Sequence, residues 1–161
     1  KDAVAAYEAG QCDARTADRS ALFGERQLLS DPSRRMILTE TISKEPLGPV
    51  VRAADTDWAR VVRWVLFSLI AGEELEVTQA ALQATANGKL SADQKRFLDE
   101  SGKLGSKIGL PPAWVATVIT SVGNYGEIFD RNLGKASDIG MLRGANALWK
   151  DGGLLYAPPM P

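Results

Sequence analysis

Histidine is absent from the 161 residues, and cysteine occurs once, as Cys12. Without an imidazole the chain lacks the commonest general base, proton shuttle and nitrogen metal ligand. A lone cysteine makes no disulfide within the chain and no cysteine-ligated metal cluster. Excess charge is missing too: 19 basic residues stand against 20 acidic ones, for a net charge of −1. The basic residues are scattered, with Arg34-Arg35 the nearest approach to a cluster. The electrostatic footprint of a nucleic-acid-binding surface is therefore lacking, and no nucleic-acid partner is expected. Long apolar runs are lacking as well: Val61 to Ala71 is broken by Arg63 and Ser68 and is too short to span a membrane.

What is present is ordinary globular composition, 45% hydrophobic and 24% charged, in a chain long enough for one core-bearing domain. No internal repeat or low-complexity segment interrupts it. The chain opens at Lys1 directly into helix-compatible sequence that runs to Ala9, where Gly10 suits a left-handed C-terminal cap. Asp13 to Thr16 carries a weak period-2 pattern, which predicts a short strand. Asp18 then stands before a second helical stretch containing Leu22, Phe23 and Leu29 on one face. Two roles for Asp18 compete. It can cap that helix, accepting from the first free N–H groups. Alternatively it is a carboxylate held at the rim of a strand's C-terminal end, where α/β sheets bind ligands.

After a polar turn at Ser30-Asp31-Pro32-Ser33, Met36 to Glu40 and Leu47 to Val51 read as two strands broken by Glu45-Pro46. Pro49 lacks an N–H and so confines the second to an edge or a bulge. Extended passages flanking a proline fit a hinge between lobes as well as they fit a plain hairpin. Helical sequence follows. Asp55 or Asp57 caps a helix with Trp58, Val61, Val62, Val65 and Leu69 at one-face spacing, ending near Gly72. Thr78 begins a helix running to Asn87-Gly88, and Ser91 begins the next. Gly102 to Leu110 reads as a loop stopped by Pro111-Pro112, and Pro112 opens a helix bearing Trp114, Val115, Val118, Ile119 and Val122. Asn124-Tyr125-Gly126 is expected to kink that helix, Gly134 to end it, and Leu142 to Trp149 to form a last one.

Catalytic patterns are weak. Ser20 has neither a Gly-x-Ser-x-Gly elbow nor a histidine. Glu73 and Glu74 are adjacent on a helix, so they do not face each other and read as a solvated face. Gly102 to Lys107 lacks the spacing and the preceding strand of a phosphate loop. Trp58, Trp64, Trp114 and Trp149 read as packing residues.

The stretch from Gly10 to Asp18 has the form Gly-x-x-Asp-Ala-x-x-x-Asp, and it resembles the motif of periplasmic amino-acid-binding proteins of ABC importers. The likeness continues through Tyr7-Glu8-Ala9-Gly10, Ile42 to Arg52, Val122 to Phe129, Arg143 to Trp149 and Gly152 to Pro159. It covers essentially the whole chain, as the C-terminal half of the general L-amino-acid-binding members. The resemblance implies an α/β chain that is part of a two-lobed, type II binding-protein fold, mostly helical with few strands. Residues 1–35 would be the end of the second lobe, as helix, strand and helix. Residues 36–52 would be hinge or crossover strands, and 53–161 the helical C-terminal part of the first lobe. A member of the family is about twice this length, so the chain is expected to be a fragment.

The resemblance also implies a function: capture of L-amino acids in the periplasm and delivery to ABC permease membrane subunits, with no catalytic residue, metal or cofactor. Asp18 matches the position that takes the ligand ammonium group, Ala17 lies beside the ligand side chain, and Thr16 is a further lining residue. Asp13 matches the motif but reads as structural, bonding nearby backbone, and Glu45 as structural or lobe-closing. The N-terminal half would hold the carboxylate-binding arginine and a cysteine partner for Cys12. Alone, the helices lack sheet strands to cover, which implies partnership with that half or with a second copy. From another class, the alternative is a helical interaction or structural module in which Asp18 is only a cap.

Overall fold

Gly102 and Gly105 lie inside a helix, not in a loop, and their missing side chains let two helices meet. A Cβ on Gly102 would stand 2.9 Å from the Pro112 carbonyl oxygen, and one on Gly105 would stand 2.5 Å from Trp114 Cδ1. The helix survives two glycines because the closeness they allow is worth more than their propensity cost of about 1 kcal/mol each. The computed structural model describes residues 2–44, 46–84 and 90–160, and the helices are, in order, α1 (Asp2–Glu8), α2 (Arg19–Arg26), α3 (Thr56–Glu74), α4 (Gln79–Gln83), α5 (Ala92–Lys107), α6 (Trp114–Val122) and α7 (Tyr125–Asn132).

Caps set most of these starts. The carboxylate of Asp55 accepts from Trp58 N at 3.0 Å, and the Thr78 hydroxyl accepts from Ala81 N at 3.0 Å. Ser91 and Gln94 form a reciprocal capping box at the head of α5, as Asn124 and Glu127 do at α7. Asn124 therefore starts a new helix, where the sequence suggested a kink. Gly123, at φ +81, separates α6 from α7 in a conformation that L side chains rarely adopt.

The core belongs to α3 to α7. Leu69, Val77, Leu82, Phe97, Leu104, Trp114, Val115 and Ile119 form one buried cluster. Helix α6 packs against α3, α4 and α5, and α3 also packs against α7. The Trp114 indole N–H reaches the buried Ser101 carbonyl at 2.7 Å, so its polar edge is satisfied. Burial of α3 is uneven: Ser68, Leu69, Ile70 and Gly72 are buried, whereas Trp58 near its start is 55% exposed. The expected last helix is instead two 3-10 turns, Gly144–Asn146 and Trp149–Asp151, the second flanked by a parallel bridge between Leu148 and Leu155. Gly144 and Gly152 take positive φ there, which breaks helical continuity.

No strand forms among the described residues, although three were expected. Residues 14–18, 35–44 and 46–52 form neither helix nor ladder. A strand exists only when a neighbouring segment pairs with it, and among the described residues no β-bridge joins these segments to another. Their apolar side chains are correspondingly exposed, Ile42 at 80% and Val50 at 96%. The expected end of α4 at Asn87-Gly88 and the hinge residue Glu45 lie outside the described residues.

Candidate functional site

Gly10 ends α1 at φ +73, and Gln11 N returns to the Ala6 carbonyl at 2.9 Å. That left-handed turn sends the chain into the extended run that delivers Thr16, Ala17 and Asp18 to the head of α2. Asp18 occupies the N-cap position, at φ −53 and ψ 139, and its carbonyl accepts from Leu22 N at 2.9 Å. Its carboxylate makes no capping hydrogen bond. The contrast with Asp55, Thr78, Ser91 and Asn124, whose side chains all cap, separates the two roles proposed for Asp18. It stands where a cap stands without acting as one. Asp18 is half-buried, while Thr16 and Ala17 beside it are exposed.

Several contacts that the sequence does not announce hold this corner in shape. The Arg15 guanidinium forms a two-pronged ion pair with the Glu25 carboxylate, Nη2 lying 3.0 Å from Oε1 and Nη1 meeting Oε2. It braces the extended run against α2. Their mutual hydrogen bonding lowers the Glu25 pKa and raises that of Arg15. The Glu8 carboxylate accepts from Ser30 N at 2.7 Å, and that bond holds its pKa below the ordinary glutamate value. Arg35 lies 5.0 Å above the Tyr7 ring and Arg26 lies 5.3 Å above that of Phe23. Arg19, next to Asp18, donates to the Thr39 carbonyl at 2.8 Å and approaches that of Leu38 at 3.4 Å. Gln27 Nε2 reaches the Asp138 carbonyl at 3.3 Å, linking α2 to the helical part.

Other expectations change. Asp13 is exposed and makes no hydrogen bond among the described residues, so it does not brace nearby backbone. Glu73 and Glu74 are half-buried and separately employed, Glu73 by Arg143 and Glu74 by the Trp149 indole N–H at 3.1 Å. Gly102 to Lys107 is helical, which removes any phosphate-loop reading. Cys12 is exposed. Among the described residues no cluster of acidic side chains and cysteine is suited to a metal ion, and no helix is long and apolar enough to cross a membrane. Two surface depressions, one along Arg52 and Ala54 to Asp57 and one between α5 and Pro112, do not include Asp18.

No protein-family profile matches the chain. Individual relatives do. The general L-amino acid-binding periplasmic protein AapJ of Rhizobium johnstonii is 48% identical over 158 residues, covering 97% of this chain and 46% of that protein. The glutamate/glutamine/aspartate/asparagine-binding protein BztA of Rhodobacter capsulatus is 44% identical, covering 95% of this chain and 45% of its own length. A solved structure, an ABC transporter periplasmic binding protein from Brucella ovis with glutathione bound, superposes with a TM-score of 0.87 at 45% identity. The match covers 99% of this chain and 50% of that one. The chain thus spans about half the length of the relatives it matches. In sequence it is similar to periplasmic amino-acid-binding proteins of ABC transporters, and in fold to an ABC-transporter periplasmic binding protein, in each case over about half of their length.

Proposed function

We propose that this chain supplies one half of a periplasmic receptor that captures L-amino acids and passes them to the membrane subunits of an ABC importer. Asp18 takes the ligand ammonium group through a charge-assisted hydrogen bond. Ala17 lies beside the ligand side chain, where a small residue leaves room for varied substrates, and Thr16 adds a polar edge. Residues 1–35 belong to one lobe, 36–52 to the crossover and 53–161 to the other, and the ligand selects the closed arrangement of the two. The chemistry is binding and release, with no bond made or broken. The missing half of the cleft comes from the remainder of the receptor or from a second copy.

The observation that carries this reading is the carboxylate of Asp18, half-buried at a helix start and unused by that helix. A purely structural module gains nothing from an idle capping residue, since a satisfied cap contributes about 1 kcal/mol. Calorimetric titration of a panel of L-amino acids into the purified chain, beside an Asp18→Ala variant, tests it. Binding by the wild type that disappears in the variant is the expected result. Equal binding by a folded Asp18→Ala variant would remove Asp18 from the site, and no binding by either would leave the chain without receptor activity of its own.

A further inference from the structure

Arginine is a poor choice for the first residue of a helix. The N-terminal end carries a partial positive charge, and a cation there is disfavoured by a few tenths of a kcal/mol. Arg19 nonetheless opens α2, immediately after Asp18. Its side chain turns away from the helix to residues 19 and 20 positions further along the chain, the carbonyls of Leu38 and Thr39. A single guanidinium nitrogen, Nη2, makes both contacts, a firm one to the Thr39 carbonyl at 2.8 Å and a longer one to that of Leu38 at 3.4 Å.

The segment it reaches has little else to hold it. Residues 36–42 make no backbone–backbone hydrogen bond among the described residues, and Met36, Leu38 and Ile42 are all exposed. Arg19 is covalently next to Asp18 and hydrogen-bonded to the run between α2 and α3. We infer that Arg19 is a positioning residue: it ties residues 36–42 to the start of α2, so that the crossover and the Asp18 carboxylate move as one body. This rests on the receptor reading only in assigning the ligand to Asp18 and the crossover to residues 36–52. If both hold, a ligand engaging Asp18 transmits its pull to the crossover through the Arg19 side chain.

Paired spin labels test the tie without any ligand. In a Cys12→Ser background, one label at Ala21→Cys on α2 and one at Ile42→Cys report the distance distribution across it; both positions are exposed. A control pair at Ala3→Cys and Ala21→Cys reports α1 against α2. Arg19→Ala is expected to widen the first distribution at least twofold and leave the control unchanged, with helix content by circular dichroism intact. Arg19→Lys should fall between the two. An unchanged first distribution in Arg19→Ala overturns the inference, and so does widening of both pairs, which marks general loosening.

Ligand is then added. An L-amino acid that narrows the first distribution in the wild type but not in Asp18→Ala supports the tie and the site together. Its affinity should fall by about fivefold in Arg19→Ala, at the lower end of ordinary coupling between sites. If no amino acid binds while Arg19→Ala still widens the ligand-free distribution, the receptor reading fails and the tie stands.

Discussion

Arg143 and Glu73, seventy positions apart, meet through a two-pronged ion pair, with Nη1 2.9 Å from Oε1 and Nη2 3.0 Å from Oε2. The same guanidinium lies 5.5 Å from the Tyr125 ring centroid and 5.0 Å from that of Phe129, and donates twice to the Asn146 carbonyl. One side chain thereby joins α3, α7 and the turn after Met141. Both partners are largely buried, at 22% and 18% exposure, so losing either strands the other's charge in a poorly solvated place. Arg143→Met should lower unfolding stability by about 2 kcal/mol, less than for a fully buried pair because some water still reaches it. Urea denaturation of Arg143→Met, Glu73→Gln and the double variant checks this. Strict additivity of the two losses would show that the pair is not coupled.

Gly105 faces the Trp114 indole, and no methyl group fits between them. The indole is pinned by its bond to Ser101 and cannot swing aside without breaking it. Gly105→Ala should therefore destabilise by about 1–3 kcal/mol, despite the better helix propensity of alanine. Gly24 in α2 has open space where its Cβ would be, so Gly24→Ala should stabilise by about 0.5–1 kcal/mol. Opposite shifts in thermal midpoint for the two variants are the expected result.

Asp18 and Ser91 occupy equivalent positions at helix starts but differ in use. Ser91→Ala removes a working capping box and should cost about 1 kcal/mol. Asp18→Ala removes no capping bond and should change stability by less than about 0.5 kcal/mol. Chemical denaturation distinguishes them. A loss at Asp18 equal to that at Ser91 would return Asp18 to the role of a plain cap.

Acid should loosen the first 35 residues before the helical core. Glu8 and Glu25 both have pKa values below the ordinary glutamate value, from the Ser30 amide and the Arg15 guanidinium respectively. A carboxyl depressed on folding favours the folded state above its unfolded pKa, about 4.3, and loses that contribution as pH falls through the folded value. Both glutamates lie at the solvent margin, so the effect is local rather than global. The Ser30 amide resonance, followed by NMR from pH 7 to pH 3, should move with an inflection below about 4.3. In Glu8→Gln that inflection should vanish.

Helix boundaries were legible wherever a side chain carried its own instruction. Asp55, Thr78 and Ser91 signal their helices because a capping oxygen needs only the next three residues. Gly10 likewise marks the end of α1 by local backbone preference alone. The motif from Gly10 to Asp18 pointed to the family, and the relatives agree with it. Gly102 and Gly105 misled because a glycine in a loop and one at a close helix contact look the same in one dimension. Only the arrival of Pro112 and Trp114 tells them apart.

The strands expected at residues 13–16, 36–40 and 47–51 have weak alternation or apolar character but no ladder, because strand pairing depends on a partner remote in the chain. Arg15–Glu25, Arg19–Thr39 and Arg143–Glu73 obey no spacing rule either, since each closes a loop whose path is set by packing. Local chemistry, acting over three or four residues, was sufficient for caps, helix faces and the position of Asp18. Whether the Asp18 carboxylate would be spent on its helix or left free, and which arginine would hold its neighbours, was decided by contacts made only once the chain had folded.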